Sequence, residues 1–159
     1  MPPADHSPVI ADLIFLLSIA GLADALYFTF AYYGRVRKLK WIPAVLCARD
    51  GSSCMTVVKT PYARVFGVPN SLLGVIYYIV LMYWAESGMP VGFEATVGEK
   101  YHVIRVGWLL LSASALTVIL GFYLVYALKR KLNVDCPLCY AAHAINVVLL
   151  VLLILGLNR

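Results

Sequence analysis

Four apolar runs separated by polar loops organise the chain, at residues 9–33, 68–84, 103–128 and 136–157. Each reaches or approaches the ~20 residues that carry an α-helix across ~30 Å of hydrocarbon. Lipid offers the backbone no hydrogen bonds, so the runs predict helices rather than open strands. The second is the shortest and opens on the polar pair Asn70-Ser71, which leaves its boundary the least defined. Four helices on short links predict an all-α membrane protein, a four-helix bundle in which residues 1–159 form one domain. No basic residue precedes the first run, and 25 apolar residues exceed a signal-peptide core, so it is expected to be a mature helix.

The polar segments differ in character. The first loop, residues 34–67, opens with Arg35, Arg37, Lys38 and Lys40 and ends in an amphipathic stretch broken by Pro61. That stretch predicts a short helix lying at the membrane interface as a lid, not a fifth crossing. Residues 85–102, with Glu86, Glu94 and Glu99 among glycines, predict a solvated connector. The third loop is short and basic. Composition agrees with this division: 62% of residues are hydrophobic and 13% charged, against about 25% charged in soluble domains. The net charge of +5 does not point to nucleic acid, because seven of the thirteen Lys and Arg sit in one loop beside the membrane. There they suit orientation and lipid headgroups. The 11 Tyr, 6 Phe and 3 Trp fit interfacial belts, with Trp41 placed to anchor the first loop.

The chemistry lies in four cysteines. Cys136-Pro137-Leu138-Cys139 stands where a charged loop enters the last apolar run, and Cys47 and Cys54 flank the turn sequence Asp50-Gly51-Ser52-Ser53. A CxxC separates its sulfurs by about one helical turn. At a helix N-terminus, free backbone N–H groups and the helix dipole favour the first thiolate, and Pro137 suits the first turn. Thiol–disulfide exchange needs such a thiolate and a reachable second pair. Loops alternate sides, so four crossings put both pairs on one face. Two structural disulfides, or a four-thiolate zinc site in a non-enzymatic scaffold, use the same cysteines. Cys139 lies one turn into the apolar run, a depth that suits a lipid-soluble electron acceptor better than zinc, and no metal is expected.

Several polar residues fall inside the runs, where each is expensive unless partnered or used. Asp24 in the first run is a candidate proton relay. Asn70 is either a cap for the second helix or a polar contact for a ligand. His143 lies one turn below Cys139 on the same face and can offer a hydrogen bond or a proton. Asn146 is expected to bridge helices, and Arg105, near the start of the third run, to snorkel.

These marks together resemble the vitamin K epoxide reductase family: Cys47 and Cys54, Asn70-Ser71-Leu72-Leu73-Gly74, the CxxC at Cys136 and Cys139, and Ala144-Ile145-Asn146. The resemblance runs from about Leu16 to Leu152. It implies that Cys139 exchanges electrons with a membrane quinone (menaquinone, ubiquinone or a relative). It also implies that Cys136 pairs with Cys54, that Cys47 meets a thioredoxin-like protein, and that Asn70 bonds a quinone oxygen. The animal enzymes carry tyrosine where this chain has His143, which favours plain quinone over vitamin K epoxide as the substrate. DsbB-type proteins place their CxxC between the first two helices, which argues against that alternative. No thioredoxin-like domain is expected within the chain, so the partner is a separate protein.

Ten Lys and Arg lie in the first and third loops and three elsewhere, namely Lys100, Arg105 and Arg159. The positive-inside rule then predicts a cytoplasmic face for both cysteine pairs, inverted relative to the usual arrangement in the family. Cytoplasmic disulfide formation suits hyperthermophiles, whose intracellular proteins are disulfide-rich. The absence of Gln and the low count of four Asn are compatible with a hot source. A membrane-impermeant maleimide, applied after mild reduction, should modify Cys47 only once cells are lysed. Modification in intact cells would contradict this orientation.

Overall fold

The computed structural model describes residues 8–35, 57–65, 67–90, 93–97 and 100–158. Four helices dominate it: α1 (Pro8–Tyr32), α2 (Asn70–Glu86), α3 (Val106–Ala127) and α4 (Pro137–Leu157). α1 packs along α2 and α4, and α4 packs along α3. α2 and α3 therefore flank the interior from opposite sides.

The outward faces explain the solvent this fold needs. Ile119 and Phe122 on α3 are 64% and 67% exposed, and large apolar side chains cover the outside of all four helices. Such a surface is stable in lipid, not in water. α1, α4 and the helical segment Val106–Leu132 are long and apolar enough to cross a membrane. This is a multi-pass membrane protein. α2, at 17 residues, is about 26 Å long at 1.5 Å per residue, so its length does not by itself make it the expected fourth crossing. It does run the length of the bundle. Asn70 starts it near Cys139, and just beyond its far end Met89 packs on Gly156 of α4 and Ile10 of α1.

Three sequence expectations are corrected. Residues 68–69 begin no helix: Val68–Pro69 (β2) pairs antiparallel with Arg64–Val65 (β1), and Gly67 turns between them at φ +83°. Within the connector at 85–102 and reaching into the run 103–128, β3 (Phe93–Val97) pairs antiparallel with β4 (Lys100–Ile104), with Phe93 opposite Ile104. The β-branched residues Thr96, Val97, Val103 and Ile104 suit strands. The third run does not end at Leu128. A π-helical turn, Leu128–Leu132, extends it through Lys129, Arg130 and Lys131. Leu128 and Leu132 pack there against the cluster that holds Cys136 and Cys139, and Asn133 ends the turn in the left-handed region (φ 51°), which asparagine tolerates.

The core runs from Ile10, Ile14, Leu81, Trp84 and Met89 at the end away from the cysteines to Ala25 and Tyr78 higher up. At Gly21 the α1 backbone meets α2 so closely that a Cβ would overlap the Tyr78 ring. That ring cannot swing aside freely, because its hydroxyl donates to Asn146 Oδ1 at 2.7 Å. Gly21→Ala is therefore expected to lower the midpoint of thermal unfolding in detergent. The overpacking cost is about 1–3 kcal/mol, set against a helix-propensity gain of about 1 kcal/mol. An unchanged or raised midpoint would mean that the α1–α2 contact is loose.

Candidate functional site

The sequence around the CxxC forms a helix start around a sulfur. Cys136 is the N-cap of α4, in extended conformation, and Pro137 fills the first helical position, where its missing N–H costs nothing. The Cys139 backbone N–H donates to Cys136 Sγ at 3.3 Å. The two cysteines form a disulfide with Cα atoms 5.3 Å apart. Cys136 is fully buried and Cys139 is 9% exposed, packed with Phe28, Val58 and Leu128. The loop before them is tied down by Tyr140, whose hydroxyl donates to Asp135 Oδ1 at 3.1 Å and whose ring lies under Lys129 Nζ at 5.7 Å.

Cys139 opens into a cavity of about 410 Å³ inside the bundle, a size typical of small-molecule sites. Its lining is mostly apolar and comes from all four helices, with Leu73 of α2 and Leu116 of α3 on its walls. The segment 57–65 adds Val57, Val58 and Tyr62 to its lining. Residues 57–59 are helical and Pro61–Ala63 form a 3-10 turn. Arg64 over the Tyr32 ring at 5.4 Å and Tyr62 against Tyr123 at 6.5 Å between ring centres hold it to α1 and α3.

Four of the expected polar residues line this cavity: Asp24, Asn70, His143 and Asn146. Asn70 is not a cap. Pro69 occupies that position and Asn70 is the first residue of α2, with its side chain on the cavity wall. His143 lies against α3, where a Cβ on Gly121 would come within 2.7 Å of Nδ1. That nitrogen is buried with no hydrogen-bond partner among the described residues. An orphaned N–H is rarer than an orphaned acceptor, which favours the tautomer protonated on Nε2 and leaves a donor for the cavity. Asp24 Oδ1 is likewise buried without a partner among the described residues. Each such group costs about 1–3 kcal/mol, which the fold has no reason to carry unless the site uses it.

Asn146 bridges α2 and α4 through Tyr78, as a helix-bridging residue should. Tyr77 and Tyr78 also line the cavity, and the sequence reading did not single them out. Their signal was the spacing 70, 74, 77, 78, which puts Asn70, Gly74, Tyr77 and Tyr78 on one face of α2. Arg105 is exposed just before α3, as its N-cap. Cys47 and Cys54 lie outside the described residues, as does Trp41. The proposed pairing of Cys136 with Cys54 and the four-thiolate alternative therefore stay with the sequence.

The model for the vitamin K epoxide reductase family matches residues 13–154. That is most of the chain, and it includes all of α2 and α3, most of α1 and α4, and the CxxC. The chain belongs to this family. No curated protein matches it.

Proposed function

We propose that this member of the vitamin K epoxide reductase family is a membrane thiol:quinone oxidoreductase that makes disulfides in a thioredoxin-like protein. The observation that carries the reading is the position of Cys139. It belongs to a redox-capable pair and opens on a largely apolar cavity beneath a lid. A thiol outside the bundle would meet only water-soluble partners. A thiol on an apolar cavity between membrane helices meets a lipid-soluble one.

The residues fit a quinone. Its ring is flat and apolar, with oxygens at opposite edges, and the cavity offers apolar walls with Asn70, His143 and Asp24 as separated polar points. When bound, the quinone supplies a two-electron, two-proton sink. The Asn70 amide and His143 Nε2 orient its oxygens by donating hydrogen bonds. Asp24 carries a proton to the site. The lid and the apolar walls exclude bulk water. Histidine at position 143, where the animal enzymes have tyrosine, favours plain quinone over the epoxide.

Electrons enter at the loop pair. A reduced partner gives two electrons to the Cys47–Cys54 disulfide and leaves oxidised. Cys54 then exchanges with Cys136, and the Cys136–Cys139 disulfide re-forms as the quinone is reduced. The sum is partner dithiol plus quinone giving partner disulfide plus quinol. α2 serves in this reading as the fourth crossing, which brings both cysteine pairs to one face. That face is basic: Arg35, Lys59, Arg64, Lys129, Arg130 and Lys131 are exposed at the cysteine end of the bundle. By the positive-inside rule it is cytoplasmic.

Cys139→Ala should lower quinone reduction on the order of 10³-fold or more, the scale at which a nucleophile acting in a unit is lost. Near-wild-type turnover would refute its role. Cys47→Ala should spare oxidation of dithiothreitol while slowing oxidation of a thioredoxin-like protein. Equal losses on both substrates would refute the relay order.

A further inference from the structure

A glycine inside a helix is less stable than an alanine there. Membrane helices keep one where something must approach the backbone closely. At Gly121 on α3 what approaches is a single side chain. The three atoms nearest to a Cβ built there all belong to His143: Nδ1 at 2.7 Å, Cγ at 3.2 Å and Cε1 at 3.4 Å. Gly121 is itself buried. The imidazole of α4 therefore lies with one edge against the α3 backbone, and no larger residue fits at position 121 unless the ring moves.

Two further observations tie this contact to the cavity. Thr117, Leu120, Gly121 and Leu124 have the spacing of one helix face, and Thr117, Leu120 and Leu124 line the cavity. Gly121 shares their face but not the lining, because the His143 ring covers it. His143 does line the cavity. Its Nδ1, Cγ and Cε1 are turned to α3, so the edge left to the cavity carries Cδ2 and Nε2. The hydrogen bonding agrees. Of the two ring nitrogens only Nδ1 is buried without a partner among the described residues. The α3 backbone beside it is committed to its own helix and gives an Nδ1–H nothing to donate to.

We propose that Gly121 is a positioning residue that seats His143: its bare backbone holds the Nδ1 edge on α3 and aims Nε2–H at a quinone carbonyl oxygen. The inference rests on the quinone reading above. The seat makes the histidine a donor of fixed direction and fixed tautomer. A carbonyl oxygen accepts near the plane of its own group, so a fixed donor selects a flat acceptor whose oxygen reaches that wall of the cavity. A side chain at position 121 would act in one of two ways. It would push the imidazole into the space the quinone ring needs, or turn Nδ1 to the cavity as a bare acceptor. A quinone oxygen, itself only an acceptor, gains nothing from the second arrangement.

The test uses the full chain in nanodiscs and has two readouts. The first is nitrogen NMR without quinone, on histidine labelled at its ring nitrogens. The His143 signals, identified by their loss in His143→Ala, should show one tautomer protonated at Nε2, and Gly121→Ala should abolish that single state. Wild-type His143 protonated at Nδ1, or an unchanged spectrum in Gly121→Ala, would overturn the proposal. The second readout is the rate constant for menadiol formation, after the chain is reduced, freed of reductant and mixed anaerobically with menadione. It should fall on the order of tenfold in Gly121→Ala and in His143→Ala, and no further when the two are combined. Losses that multiply in the double variant would mean that Gly121 acts elsewhere than through His143, and would overturn the proposal. Should Gly121→Ala fail to fold, two variants at position 143 decide. His143→Gln, whose amide reaches the Nε2 position, should keep more activity than His143→Asn, whose amide reaches only the Nδ1 position; equal losses would overturn the proposal. Wild type that forms no quinol would overturn the quinone reading, while the nitrogen spectra still decide whether Gly121 seats the ring.

Discussion

A bilayer supplies no hydrogen bonds, and that constraint orders the whole molecule. It makes the apolar runs helical and keeps the backbone satisfied within each segment. It also divides the polar groups inside the bundle into two kinds. Some are partnered: Asn146 by Tyr78 across α2 and α4, and Thr29 by its own helix. Others have no partner among the described residues, and two of them, Asp24 Oδ1 and His143 Nδ1, belong to residues on the wall of one cavity. In water such groups would be ordinary. In lipid, their concentration at one place marks where the protein has given up stability for chemistry.

The redox pair depends on the same constraint. Cys136 caps a helix and Cys139 occupies its first turn, so the pair joins the wet end of the bundle to its interior. The lid segment, through Val58, closes the pair from above. The Tyr78 ring, wedged on Gly21 and tethered to Asn146, fixes the opposite wall. On the proposed reading, a site so placed would exchange electrons with what fits the cavity and with what reaches the sulfurs through the loop, the division of labour a thiol:quinone oxidoreductase needs.

Much of this was legible in the sequence where a single residue type carries a strong physical penalty or a fixed spacing. The CxxC stands at a helix start, Asn146 bridges two helices, and Asn70, His143 and Asp24, polar points inside apolar runs, line one cavity with Cys139. Features set by tertiary contact were not legible. The pairing of β3 with β4 was hidden by a Gly- and Glu-rich composition that reads as loop. The π-helical extension to Leu132 breaks the rule that a cluster of charges ends a membrane helix, because Leu128 and Leu132 find apolar partners beside the cysteines. α2 was anticipated two residues too early, because Val68 and Pro69 are apolar yet pair as a strand.

The central claim is that the thiols at Cys136 and Cys139 deliver their electrons to a quinone in the adjoining cavity. Its most direct test is stoichiometric. The fully reduced chain is mixed with one equivalent of a short-chain naphthoquinone in the absence of oxygen, and quinol and disulfide are counted together. The account predicts one quinol and one new disulfide per equivalent consumed. A quinone that stays oxidised beside thiols that stay reduced would contradict it.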